Sequence, residues 1–139
     1  MTRVNWNTSR TDVPIFDEAL ANPRNPHRNF DMRLRWISPQ RYIEYQYKTI
    51  EKWFQLAPGQ TGIEPFWKGV NRPTVERIKK AISENKPFYA FVLEFYKGGE
   101  ITHYQEGRHR AVAMLELNVK RIPVYFAYSR FKEVPKDKD

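Results

Sequence analysis

The stretch Glu106-Gly107-Arg108-His109-Arg110-Ala111-Val112-Ala113-Met114-Leu115-Glu116-Leu117 decides how the chain is read. Gly107 interrupts an extended pattern. Ala111, Val112, Met114, Leu115 and Leu117 then recur at helical spacing. The spacing predicts a strand, a tight turn and a helix, with two arginines and a histidine in the first helical turn. The leading amide N–H groups of a helix have no intrahelical acceptor, and the helix dipole places partial positive charge there. Glycine lets the chain turn sharply and lets an anion approach the backbone. Guanidinium forks match the oxygens of phosphate. Gly107, Arg108, His109 and Arg110 are therefore the candidate phosphate- or nucleotide-binding residues. Solvated arginines after a glycine that merely ends a strand are the plainer alternative, but two arginines at a helix N-terminus oppose the dipole.

Upstream, Met32, Leu34 and Trp36 alternate as on a strand, and Ser38-Pro39 supplies an N-cap and a first-turn proline for the helix that follows. Tyr42, Tyr45, Ile50, Trp53 and Phe54 fall near one side of that helix, which Ala57-Pro58-Gly59 ends. Residues 58–72 read as a loop carrying Phe66 and Trp67, which interleave with basic residues and are candidates for stacking on bases. A helix near Pro73–Asn85 shows Val75, Ile78, Ala81 and Ile82 as its apolar stripe. Phe88–Phe95 is an apolar strand, Lys97-Gly98-Gly99 a turn, and Glu100–Gln105 the returning strand of a hairpin. Asn118 suits a left-handed helix end, and Ile122-Pro123-Val124-Tyr125-Phe126 is a further strand. The expected fold is a small α+β domain over 31–130, with a mixed sheet and flanking helices. An N-terminal arm over 1–30 and a charged tail over 131–139 complete it.

Composition sets the limits. The 139 residues carry 24 Lys and Arg against 16 Asp and Glu, a net charge of +8, which favours polyanionic partners. Cysteine is absent, so disulfides, thiolate metal sites and thiol nucleophiles are excluded. No secretory h-region or membrane-length apolar run is present, and a cytoplasmic protein that does not enter a membrane is expected.

The run Glu106–Ala113, with Leu115-Glu116-Leu117-Asn118-Val119 and Ile122-Pro123-Val124, resembles the ParB/sulfiredoxin superfamily. Its Gly-x-x-Arg-x-x-Ala box falls on Gly107, Arg110 and Ala113, while Asn118 stands where glycine is usual. The Phe88–Gln105 hairpin and the Trp36-Ile37-Ser38-Pro39 junction look like the same family. The similarity spans residues 32–128, and its specific part lies within 106–124. It implies a box that holds the phosphates of a nucleotide such as CTP or ATP, or of DNA. Some branches are nucleases or NTPases, for which Mg²⁺ is the implied cofactor; another phosphorylates free serine. The sulfiredoxin branch needs a cysteine that this chain lacks. Glu106 is the candidate catalytic carboxylate and Mg²⁺ ligand, with an ion pair to Arg108 or Arg110 as the competing reading. Three functions stay open: phosphate binding with Mg²⁺-dependent hydrolysis, transfer of phosphate to a small molecule, and non-catalytic binding of nucleic acid or a partner, as in a phage, plasmid or other mobile element.

Overall fold

The computed structural model describes residues 2–136. Nine elements alternate along them: β1 (Asn5–Thr11), α1 (Pro14–Ala21), β2 (Phe30–Ile37), α2 (Pro39–Trp53), α3 (Ile63–Lys68), α4 (Arg72–Ser83), β3 (Pro87–Phe95), α5 (Arg108–Glu116) and β4 (Ile122–Ser129). The strands form one mixed sheet in the order β1-β3-β4-β2. β1 and β4 lie parallel to β3, and β2 closes the far edge antiparallel to β4. This is the small α+β architecture that the sequence predicts.

The main core lies on the sheet face covered by α2 and α5. Tyr42, Ile43 and Ile50 of α2 and Phe91, Leu93 and Phe95 of β3 meet Ala111–Met114 of α5 and Val124 and Phe126 of β4. Four consecutive residues of α5 are buried because α2 and α4 flank it and the sheet lies beneath. Burying a side chain such as Val112 or Met114 contributes roughly 1.5–3 kcal/mol, so this short helix is held by packing rather than by propensity. A smaller core on the opposite face joins Phe16 and Ala19 of α1 to Phe30, Val92 and Ala127.

Four polar residues cap helices. Ser38 Oγ accepts from the Arg41 amide at 3.1 Å. Asn71, two residues ahead of the expected start of α4, accepts from the Thr74 amide at 3.0 Å. Asn85 and Asn118 both take left-handed conformations, φ 58° and 57°, as helix-ending asparagines do.

Three expectations need correction. The segment read as an arm over 1–30 instead supplies β1 and α1. β1 (NWNTSRT) is an edge strand, mostly polar, whose one large apolar side chain, Trp6, packs on Phe88 and Phe91. α1 buries only Phe16 and Ala19. β1 lacks the hydrophobic periodicity by which strands are recognised, and α1 shows its Ile15, Phe16, Ala19 and Leu20 spacing over only two turns. The hairpin after β3 is only a stub: the Tyr96 amide donates to the Glu100 carbonyl at 2.7 Å and the Thr102 amide to the Glu94 carbonyl at 3.0 Å. Beyond an isolated bridge between Phe95 and Ile101, residues 100–106 run as a loop, and the chain returns through α5 to a parallel β4. Thr102 Oγ1 also donates to the Glu94 carboxylate at 2.8 Å, and the pairing goes no further than Thr102. Third, the loop over 58–72 contains α3, which buries Phe66 completely. Of the tail, 131–136 are described and have no regular structure, while 137–139 lie outside the described residues.

Candidate functional site

Gly107 opens α5 as its sequence implies, but it follows a loop rather than the expected strand. Gly107 occupies the left-handed region (φ 85°, ψ 13°), and the Ala111 amide donates to its carbonyl at 2.9 Å, the first hydrogen bond of α5. The amides of Arg108, His109 and Arg110 are therefore the leading N–H groups with no intrahelical acceptor. A side chain at position 107 would meet the Phe91 ring 2.9 Å away, so the backbone is pressed against the core.

The preceding peptide is clamped from α2. Buried Tyr42 donates its hydroxyl to the Glu106 carbonyl, and the Gln46 side-chain amide donates to the same oxygen at 2.9 Å. Burial raises the Tyr42 hydroxyl far above its usual titration range, so it remains a donor.

The two arginines have different surroundings. Arg110 is an internal residue. It donates to Glu106 Oε1 at 2.6 Å and to the Tyr89 carbonyl at 3.1 Å, lies 3.2 Å from Asp12 Oδ2, and stacks over Phe91. Arg108 has no carboxylate partner among the described residues. Its guanidinium lies over the Phe66 ring and contacts Gln105 Oε1 at 3.3 Å, and burial lowers its pKa below the ordinary arginine value. His109 Nε2 accepts from the Asn71 amide at 3.0 Å, which leaves Nδ1 as the protonated nitrogen of the neutral ring. Gln46, Gln105, Glu106, Gly107, Arg108 and His109 line an open cavity of about 270 Å³. Of these lining residues, Gln46 and Gln105 each carry one buried side-chain atom, Oε1 and Nε2, without a hydrogen-bond partner. A partly desolvated cation and the end of a helix dipole thus border one open cavity.

Several candidates take other roles. The Glu106 carboxyl is pushed above its ordinary value by burial, a shift opposed by Arg110. With the Arg110 guanidinium bonded to it and shared with Asp12, these residues do not fit a Mg²⁺ site. Glu94 bonds Thr102 and Glu100 pairs with Lys52, so neither joins Glu106. Among the described residues no three His, Cys, Asp or Glu side chains group as metal ligands. Phe66 is no stacking platform for a base: it is fully buried, and its ring supports Arg108. Trp67 is 37% exposed, with its indole N–H donating to Tyr47 Oη at 2.8 Å. His103 lies against Trp53, away from His109.

Tyr42 and Gln46 are the functional residues that sequence reasoning missed. The available signal was a glutamine one turn beyond a tyrosine on the buried stripe of α2, where a polar side chain needs a partner.

Among the described residues no helix is long and apolar enough to cross a membrane. No family model, curated protein or solved structure matches the chain.

Proposed function

We propose that the chain binds a phosphate group of a nucleotide or of DNA at the N-terminus of α5. One observation carries this reading: Arg108 is partly desolvated, has no carboxylate partner among the described residues, and shares a cavity with the open amides of the turn. A cation taken out of water without a counter-charge gains most from an anion supplied by a ligand. The ParB/sulfiredoxin resemblance of the Gly107–Arg110 box supports the same reading, and a cytoplasmic setting accords with it. Arg110, which occupies the arginine position of that box, serves in this reading as the internal brace of the turn, with Arg108 as the ligand's contact. No hydrolytic step is assigned to Glu106, whose carboxylate is engaged by Arg110.

Isothermal titration with inorganic phosphate, CTP and ATP tests the assignment. Arg108→Ala is expected to weaken whichever of these binds by roughly 10–100-fold, the worth of a charge-assisted hydrogen bond. Unchanged affinity in that variant, or no heat from any of the three with the wild-type chain, overturns it.

A further inference from the structure

A second basic surface lies on β2 and α2, and it is independent of the turn. Tyr45 packs edge-on to Phe126 at 5.7 Å, Phe126 stacks on Phe95 at 5.5 Å, and Phe95 stacks on Tyr128 at 5.0 Å. Four cations sit over this aromatic row. Arg33 lies 5.6 Å from the Tyr128 centroid and Arg35 5.1 Å from that of Phe126. Arg41 and Lys48 lie 6.0 Å and 5.8 Å from that of Tyr45. Arg121 joins Arg41, Lys48 and Tyr45 in lining an open cavity of about 480 Å³, where Glu44 is the one acidic lining residue. All five cations are exposed. None has a carboxylate partner among the described residues, whereas Arg10, Arg28, Lys52, Arg72, Lys79, Lys86, Arg110 and Lys132 all do. Like charges gathered without counter-ions repel one another, and they are relieved by a partner carrying closely spaced negative charge.

We propose that this face binds the phosphate backbone of duplex DNA without reading its sequence. The aromatic rings are capped by the cations above them, which leaves no ring face for an unpaired base, so backbone contact is favoured over single-strand stacking. Arg33 and Arg35 lie on an edge strand and Arg41 and Lys48 on the adjoining helix, so the charges form a band along the sheet edge rather than a point site. The inference does not rest on the phosphate site at Gly107, and it survives if that site proves wrong.

Each neutralised phosphate releases counter-ions, so log K falls with log salt by ~0.9 per contact. Five contacts give a slope of roughly −4.5, a loss of about 500-fold between about 50 and 200 mM salt. Fluorescence anisotropy with a short random-sequence duplex measures this on the full chain. The double variants Arg33→Gln/Arg35→Gln and Arg41→Gln/Lys48→Gln are each expected to shrink the slope by about 1.8. Arg77→Gln, an exposed arginine on α4, is expected to leave it unchanged. Equal slopes in wild type and both double variants overturn the proposal, as does an equal loss in Arg77→Gln. Tighter binding of single-stranded RNA or of anionic phospholipid vesicles than of the duplex also overturns it.

Discussion

The hydroxyl of Tyr42 in α2 reaches across the core to the backbone carbonyl of Glu106, and Gln46, one turn further along α2, donates to the same oxygen. A carbonyl with two buried donors tolerates losing one. Tyr42→Phe or Gln46→Leu alone is expected to cost about 1 kcal/mol in urea unfolding. Removing both donors orphans a buried acceptor, so the double variant exceeds the sum by about 1 kcal/mol or more. An additive cycle would show that the two side chains do not share this oxygen.

Gly107→Ala combines two penalties. It forces a side chain onto a left-handed backbone and drives its Cβ to 2.9 Å from the Phe91 ring. Together these predict a loss of about 2–3 kcal/mol and of phosphate binding, because the turn relaxes only by moving the helix start. A variant with wild-type melting behaviour would contradict the close approach.

Gly69 separates binding from stability. Its backbone is ordinary (φ −81°), but a Cβ there would occupy the place of the Arg108 guanidinium. A flexible side chain can move aside, so Gly69→Ala is expected to leave the unfolding midpoint nearly unchanged. The displaced arginine should nonetheless weaken phosphate or nucleotide titrations several-fold. Undiminished affinity in a well-folded Gly69→Ala chain would remove Arg108 from the site.

Glu116 at the end of α5 is held by Arg72 and Lys79 of α4, which bring its carboxyl down from 4.5 to about 2. A carboxylate depressed on folding stabilises the protein above its unfolded value, and that contribution disappears as pH falls through the folded one. Wild type should therefore lose stability relative to Glu116→Gln as pH drops from about 4.5 towards 2. Solvent screening limits the difference to about 1 kcal/mol or less, and added salt should shrink it further. Parallel stability profiles for the two proteins over that window would show that the ion pairs are idle.

Elements with strong periodicity or punctuation were legible in the sequence: α2 behind Ser38-Pro39, α4 stopped just ahead of Asn85, and α5 between Gly107 and Asn118. β1 and α1 were not, because an edge strand stabilised by backbone pairing to β3 needs little apolar patterning. The hairpin was overextended: Gly98-Gly99 is a genuine turn, but the pairing that follows it ends where the Thr102 amide bonds the Glu94 carbonyl, and 103–106 run on as a loop. At the site, residue types and spacing located the Gly107 turn. They gave no way to apportion the arginines, since that depends on Asp12 and Phe66, which lie far away along the chain.

The double clamp on the Glu106 peptide has a kinetic corollary. Because α2 fixes this turn through the protein's own hydrogen bonds, an anion bound as proposed has little chain to organise, and its capture should approach the pace of diffusion. Selectivity among anions would then be expressed in how long each one stays.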